Sequence, residues 1–218
     1  VAGKAQKASY DYSDNNELMD VTKFLDELRI SAREKYIPVM RKRTTEKLKE
    51  LVSSRRPDEV LEIGTSLGVS GITVLTSGAK KLTTIDINGD IIAEAEKNFT
   101  LCGVRDRVDF IEGDCLEVLN IIGSNRYDMV ILDGPKGHYY DLYLRVLPML
   151  NKGGIIFCDD VDYFGWVKNG REDRKHRAII NGMKKFYEMT ATDERVDAEF
   201  LPIEDGVAVI TLKNTEEK

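Results

Sequence analysis

The sequence predicts an α/β fold in which a mostly parallel sheet carries helices on both faces. From residue 59 onward, short apolar runs alternate with helical stretches of roughly 8 to 15 residues, which is typical of βαβ units. A glycine-rich turn follows the first apolar run, and two final apolar runs are joined by a short turn at residues 204–206. The prediction is therefore a Rossmann-like, doubly wound sheet of seven strands with an antiparallel C-terminal edge.

Two helices are predicted before the alternation begins. The first covers residues 14–30, with Asp14 as a candidate N-cap and an inward face at helical spacing: Leu18, Val21, Leu25 and Leu28. The second covers about residues 44–53 and directs Leu48, Leu51 and Val52 inward, between the helix-breaking residues Pro38 and Pro57. These helices should cap one end of the sheet.

The elements of the core then follow in order along the chain. Strands are predicted at residues 59–63, 82–87, 108–112, 128–133, 154–159, 198–203 and 207–212. Helices are predicted at about 69–77, 89–102, 115–121, 138–149 and 174–190. We expect one domain over residues 1–218, with a helical cap at about 10–56 and a Rossmann-like core at 57–218.

Composition narrows the class of protein. The chain has 218 residues, of which 42% are hydrophobic and 32% charged, and we expect no signal peptide and no membrane span. Three scattered cysteines and two histidines make neither a disulfide framework nor a zinc site, which favours a cytoplasmic location. A net charge of −6 argues against a protein that coats nucleic acid, and no DNA partner is expected.

The turn after the first strand has the glycine pattern of a ligand site. Gly64, Gly68 and Gly71 lie between a buried strand and a helix N-terminus, where the backbone can approach a ligand closely. The dinucleotide fingerprint needs a glycine where this chain has Ser66. The turn thus suits a nucleotide-like ligand without a pyrophosphate, although any tight βα turn could also look this way.

Acidic residues recur where strands end, at the edge where ligands bind in such sheets. Asp86 follows Gly64 by 22 positions and is suited to accept both ribose hydroxyls, or else to cap the next helix. Asp114 ends the third strand and could receive an adenine amino group or cap a helix.

Three more carboxylates follow the next two strands and suggest a cation site. Asp133 ends the fourth strand, and Asp159 and Asp160 end the fifth. Like charges at one edge need a counter-charge, and oxygen ligands favour Mg²⁺; separate caps and solvated acids are the alternative. Lys136 follows on the Asp133 loop. Beside a cation and partly buried, its pKa should fall enough for the amine to accept a proton, unless it is an ordinary surface lysine.

Taken together, these residues resemble the cation-dependent class I S-adenosylmethionine O-methyltransferases, the family of catechol and caffeoyl-coenzyme A O-methyltransferases. The resemblance covers about residue 36 to the C-terminus. It rests on five short motifs in order: Leu61-Glu62-Ile63-Gly64-x-x-x-Gly68-x-Ser70, Ile85-Asp86-Ile87-Asn88, Gly113-Asp114, Leu132-Asp133-x-x-Lys136 and Asp159-Asp160-Val161. The family usually has Asn where this chain has Asp160.

The resemblance implies a role for each matching residue. Gly64 would line the methionine part of S-adenosylmethionine, Ser70 its carboxylate, and Glu62 would support that end. Asp86 would bind the ribose, and Asp114 with Cys115 would lie near the adenine. Asp133, Asp159 and Asp160 would hold Mg²⁺ or another divalent cation, with Lys136 as the base that deprotonates the acceptor hydroxyl. A homodimer through the N-terminal helices is a family-level expectation.

The acceptor is left between two classes. Basic clusters at Arg41–Arg43 and Arg171–Arg177, with Tyr163, Phe164 and Trp166, would suit a tRNA whose 5-hydroxyuridine is methylated. If those clusters are solvated surface, a small catechol-like phenol is the acceptor. Two other classes fit worse: a nicotinamide-dependent oxidoreductase would need the missing glycine, and a non-catalytic RNA-binding module would leave the acid cluster without a role.

Overall fold

A computed structural model describes residues 19–123, 126–170 and 174–214. One seven-stranded sheet forms its centre, as predicted. The strands are β1 (Glu59–Ile63), β2 (Lys81–Asp86), β3 (Val108–Glu112), β4 (Tyr127–Leu132), β5 (Leu150–Cys158), β6 (Val196–Leu201) and β7 (Val207–Leu212). The bounds of β1, β3 and β7 match the sequence prediction. β5 begins four residues earlier than predicted, because Leu150 already pairs with Tyr127 of β4, and a register irregularity accommodates Gly153, whose φ is +75°.

Seven α-helices accompany the strands in the described parts of the chain. They are α1 (Val21–Glu34), α2 (Lys42–Arg55), α3 (Val69–Thr76), α4 (Gly89–Leu101), α5 (Cys115–Ile121), α6 (Tyr139–Val146) and α7 (Arg177–Thr192). The helix predicted at 138–149 is shorter than expected. It lies between two 3₁₀ turns, Lys136–His138 and Leu147–Met149, and Pro148 in the second turn ends the regular helix.

The strand order places a ligand site at the centre of the sheet. The order is β3-β2-β1-β4-β5-β7-β6. Strands β1 to β5 are parallel to one another, and β7 is antiparallel to both β5 and β6. The order reverses between β1 and β4, since the chain first builds outward to β3 and then returns. Ligands in doubly wound sheets bind beyond the carboxyl ends of the strands at this reversal.

The two faces of the sheet bury alternate residues of each strand. Val60 packs with α1 to α4 on one face, and Leu61 packs with α5 to α7 on the other. Both residues are fully buried, as is typical of a parallel strand covered on both faces. The doubly wound arrangement predicted from the sequence is thus confirmed. No helix in the described residues is long and apolar enough to cross a membrane.

The first helix differs from its prediction in both bounds. Asp14 and Leu18 lie outside the described residues, and the described helix begins at Val21. Asp20 is its N-cap, since the Asp20 carboxylate accepts from the backbone N–H groups of Thr22 and Lys23 at 3.0 and 3.1 Å. The helix continues to Glu34, four residues past the predicted end, and buries Leu25 and Leu28 as expected.

The linker between α1 and α2 runs along the carboxyl edge of the sheet and is attached at several points. Lys35 forms an ion pair with Glu94 of α4 at 2.9 Å. The Ser66 hydroxyl, from the turn after β1, donates to the Pro38 carbonyl at 2.5 Å. These contacts place the linker beside the ends of β1 and β2, where the site lies.

Candidate active site

A cavity of about 430 Å³ opens at the carboxyl ends of the central strands. Residues from the ends of β1, β2, β4 and β5 line it, together with the linker residues Pro38 and Val39. Seven of the predicted site residues contribute to its wall: Gly64, Asp86, Asp114, Cys115, Asp133, Asp159 and Asp160. The structure therefore brings the predicted ligand-binding turn and the predicted acid cluster to one cavity.

Gly64 has the backbone shape that the cavity requires. Its φ is +100°, a region that side-chain-bearing residues avoid, and its N–H donates to the Ile85 carbonyl at 2.9 Å. A Cβ at this position would overlap the backbone carbonyl of Asp133. Glycine thus lets the turn after β1 approach the loop after β4 closely at the wall of the cavity.

Glu62 and Ser70 lie behind this turn, outside the cavity lining. The Ser70 hydroxyl donates to Glu62 Oε1 at 2.5 Å, and the Thr84 hydroxyl donates to Oε2 at 2.6 Å. Burial raises the pKa of Glu62 to about 7, against the lowering effect of these two hydrogen bonds. The Ser70 side chain therefore faces Glu62, and its expected position at the carboxylate of the ligand stays a prediction.

Asp86 accepts two backbone hydrogen bonds and is not a helix cap. Its Oδ2 accepts from Ser66 N at 3.0 Å, and its Oδ1 accepts from Asn88 N at 3.0 Å. Asn88 is the N-cap of α4 instead. The two bonds hold the Asp86 carboxylate at the cavity wall, where it remains available to hydroxyl groups of a ligand.

Asp114 lines the cavity and also caps a helix. Its Oδ1 accepts from the N–H groups of Leu116 and Glu117 at 2.8 and 3.3 Å, so it is the N-cap of α5. Cys115 lies beside it, and burial raises the pKa of its thiol. The helix-cap alternative for Asp114 is thus present, and its contact with an adenine amino group stays a prediction for a residue that borders the cavity.

The acid cluster forms where β4 and β5 end next to each other. Asp133 N donates to the Ile63 carbonyl and Asp159 N to the Leu132 carbonyl, at 3.0 and 3.1 Å, which extends the ladder by one residue on each strand. Carboxylate oxygens of Asp133, Asp159 and Asp160 lie within 4.8 Å of one another. Burial and the two neighbouring acids raise the pKa of Asp159 to about 8. Three oxygen donors on one rim fit a hard divalent cation.

Lys136 reaches the same cluster from the loop after β4. Its ammonium donates to Asp133 Oδ1 at 2.9 Å, to the Tyr139 hydroxyl at 2.7 Å and to the Asp159 carbonyl at 3.1 Å. Burial lowers its pKa, as expected, but Asp133 and the other acids outweigh burial and hold the pKa well above its ordinary value. The predicted fall therefore requires a cation that neutralises these carboxylates.

Two cap residues that the sequence did not assign to this cluster also contact it. Arg41 forms an ion pair with Asp160 across 119 positions, and the Thr44 hydroxyl lies 3.4 Å from Asp159 Oδ1. Lys42 pairs with Asp26 of α1 at 2.8 Å. Two of the three residues in the first basic cluster are therefore bonded to acids, which weakens its interpretation as a phosphate-binding surface. No local sequence signal marks Arg41, because its partner is distant in sequence.

An aromatic group directly follows the acid cluster. The rings of Tyr163, Phe164, Trp166 and His176 are neighbours, with centroids 5.0–6.0 Å apart. Asp205 accepts from the backbone N–H groups of Phe164 and Gly165 at 2.5 and 3.1 Å and so attaches this segment to the turn between β6 and β7. Arg171 of the second basic cluster lies outside the described residues.

Comparison with known proteins gives consistent matches over most of the chain. The sequence profile of a family described as O-methyltransferase matches residues 15–213. O-methyltransferase hkm8 of Aspergillus hancockii is 27% identical over 187 residues, covering 72% of this chain and 74% of that protein. A Dictyostelium discoideum protein named "Probable caffeoyl-CoA O-methyltransferase 1" is 24% identical over 212 residues, covering 94% and 91%.

A solved structure shares the fold. The O-methyltransferase TomG of Streptomyces achromogenes, crystallised in complex with S-adenosylmethionine, superposes with a TM-score of 0.78. The match covers 92% of each chain at 22% sequence identity. The seven-stranded sheet with its antiparallel edge is therefore an arrangement known among solved methyltransferases.

Proposed function

This chain belongs to the O-methyltransferase family and is an S-adenosylmethionine-dependent enzyme, and from that premise we propose that it methylates an acidic hydroxyl with the help of a divalent cation. The observation that carries this proposal is the position of the acid cluster. Asp133, Asp159 and Asp160 border the same cavity as Gly64 and Asp86, so donor and acceptor would meet there. We propose a small catechol-like phenol as the acceptor.

The cavity wall suggests a partner for each part of S-adenosylmethionine. Gly64 would lie against the methionine portion, since it lines the cavity at the turn after β1. Asp86, held by two backbone N–H groups, would accept the ribose hydroxyls. Asp114 and Cys115 would border the adenine. Ser70 and Glu62 would act from behind the turn by fixing its shape. When bound, the cofactor supplies an electrophilic methyl group.

Three carboxylates would hold the divalent cation, for which Mg²⁺ is the best chemical fit. A bound cation lowers the pKa of an acceptor hydroxyl. Lys136 beside Asp133 and Arg41 beside Asp160 bring one positive charge each. With these two charges the cluster has one uncompensated negative charge, so a divalent cation would leave the site net positive once Lys136 holds the acceptor proton. Such a site favours an acceptor oxygen that carries a negative charge.

Lys136 would take the acceptor proton at Nζ. Its three present hydrogen bonds fix the position of that nitrogen beside Asp133. Because the acids hold its pKa high, the amine can become a proton acceptor only when their charge is neutralised. Asp133 therefore has two proposed roles, as a ligand of the cation and as the partner that positions the base.

The charges near the cavity favour a small acceptor over tRNA. Arg41 and Lys42 are bonded to Asp160 and Asp26 and would have to give up these partners to bind phosphates. The exposed aromatic side chain of Phe164, beside Tyr163 and Trp166, supports stacking of a planar ring. This aromatic group also keeps tRNA as the second candidate, since a nucleobase stacks equally well.

The test is methyl transfer from labelled S-adenosylmethionine to catechol or to bulk tRNA that lacks wobble-uridine methylation, with Mg²⁺ or with chelator. We expect label in catechol that is lost with chelator. Label in tRNA alone would make tRNA the acceptor in place of a small phenol. Full activity in excess chelator would contradict the metal-assisted mechanism.

A pair of variants separates the acid cluster from general effects of charge. Asp133→Ala should remove both the cation dependence and nearly all transfer, because the site loses a ligand and the partner of Lys136. Asp109→Ala, which changes an exposed acid on the outer strand β3, should leave transfer unchanged. Equal activity of both variants would mean that the cluster does not activate the acceptor.

A further inference from the structure

Asp160 belongs to the acid cluster and also forms an ion pair with Arg41 of the helical cap. The residue lies just past the end of β5, with φ at +53°, in the left-handed region. Among side-chain-bearing residues, Asn and Asp enter this region most readily, so the backbone accommodates either one. An Asp160→Asn substitution would therefore change the charge at the acid cluster without changing the shape of the chain.

Arg41 supplies the matching positive charge. It is the last residue before α2, its guanidinium forms an ion pair with Asp160 Oδ1, and Asp159 and Asp205 add to the negative field around it. Each side chain is between one third and one half exposed, at 34% for Asp160 and 46% for Arg41. The pair thus lies at the rim of the cavity rather than in the core.

We propose that Arg41 neutralises Asp160 and thereby sets the affinity of the acid cluster for a divalent cation. Oδ1 of Asp160 is bonded to Arg41, and the pair has no net charge. Arg41 is on this view a positioning residue that keeps the cation affinity moderate, and the inference rests on the proposed cation site.

The proposal makes opposite predictions for the two single substitutions. Arg41→Gln removes a positive charge near the cation and exposes the full charge of Asp160, so cation affinity should rise on the order of tenfold. Asp160→Asn leaves Arg41 without its partner beside the cation, so affinity should fall by a similar factor. The double variant R41Q/D160N should return to within a few fold of the wild-type affinity, because the neutral pair is replaced by two neutral side chains.

The readout is Mn²⁺ binding to the full chain with no acceptor present. Electron paramagnetic resonance measures the concentration of free Mn²⁺ during the titration. Lys42→Gln is the matched control, since Lys42 adjoins Arg41 but pairs with Asp26, away from the cluster. Circular dichroism melting of each variant shows whether it is folded. Arg41→Met serves as a second neutral substitution if Arg41→Gln is poorly folded.

The outcomes separate this inference from the proposed function. If wild-type protein binds no Mn²⁺, or if Asp133→Ala binds it equally well, the cation site itself is refuted. If wild-type protein binds Mn²⁺ through Asp133 but Arg41→Gln weakens binding, or the double variant is no better than Asp160→Asn, then Arg41 does not compensate Asp160. Opposite shifts for the single variants with recovery in the double variant would support the neutralisation of Asp160 by Arg41.

Discussion

Glu62 is fully buried behind the cavity and should make the stability of the protein depend on pH. Burial raises its pKa from 4.5 to about 7 in the folded chain, although Ser70 and Thr84 donate hydrogen bonds to it. An unfolded chain releases this proton above pH 4.5, whereas the folded chain retains it until about pH 7. Unfolding therefore releases a proton between these values, and the free energy of unfolding falls as pH rises through this window.

The magnitude follows from the size of the shift. One pKa unit corresponds to about 1.4 kcal/mol, so the full effect of Glu62 is about 3 kcal/mol, of which about 2.5 kcal/mol falls between pH 5 and pH 8. Glu62→Gln removes the titrating group and keeps its shape. The amide oxygen can accept from Ser70 while the amide nitrogen donates to Thr84, because the hydroxyls of Thr65 and Thr84 can exchange roles as donor.

The assay is urea unfolding of both proteins at several pH values from 5 to 8, followed by circular dichroism in chelator. We expect the stability of the wild type relative to Glu62→Gln to fall by about 2.5 kcal/mol across this range. Glu112→Gln, at the exposed end of β3, is the control. The difference in stability between the wild type and this variant should change little from pH 5 to pH 8. A wild-type-to-variant difference that stays constant from pH 5 to 8 would refute the assigned protonation of Glu62.

Three further predictions concern the cavity. Gly64→Ala should lower the free energy of unfolding by at least about 2 kcal/mol and weaken S-adenosylhomocysteine binding, because φ is +100° and the new Cβ meets the Asp133 carbonyl. An unchanged melting temperature and an unchanged affinity by calorimetry would contradict this. Lys136→Ala should reduce methyl transfer about 100-fold while cofactor affinity is retained, and a large loss of affinity would make Lys136 structural. Tyr139→Phe should lower the free energy of unfolding by about 1 kcal/mol in urea, because the Tyr139 hydroxyl accepts from Lys136 and donates to a backbone carbonyl. An unchanged free energy of unfolding would mean that water replaces the hydroxyl.

The core could be read from the sequence because each of its signals is local. Buried strands are continuous apolar runs, and the turns that end them contain glycine or an N-cap residue, so β1, β3, α5 and β7 were predicted at their observed bounds. Errors arose where a tertiary contact overrides a local signal. β5 was predicted to begin at residue 154, yet Leu150 already pairs with Tyr127 of β4, with a register irregularity between Tyr127 and Met129.

The site could be predicted only where its residues follow the strands. Parallel strands deliver Asp86, Asp133 and Asp159 to one edge, so their positions in sequence were enough. The direction of a side chain or the sign of a pKa shift depends on every neighbouring group. The Ser70 hydroxyl is bonded to Glu62 behind the turn where the ligand was expected. Three acids hold the pKa of Lys136 well above its ordinary value, so the fall expected beside a cation stays a prediction.

The linker and the start of α2 are the part of the site that no motif marks, and they are where acceptor choice should be decided. Pro38 and Val39 line the cavity, Arg41 bonds Asp160, and Thr44 lies beside Asp159, so one short segment contacts both the cofactor end and the acid cluster. On the proposed function the strand ends must keep their residues, because the methyl donor and the cation would serve any acceptor. Within residues 38–44, Arg41 would set the cation affinity, whereas Pro38 and Val39 border the cavity without such a role. Exchanging acceptor specificity should therefore require changes in this segment and in the aromatic group after Asp160, with the strand ends left intact.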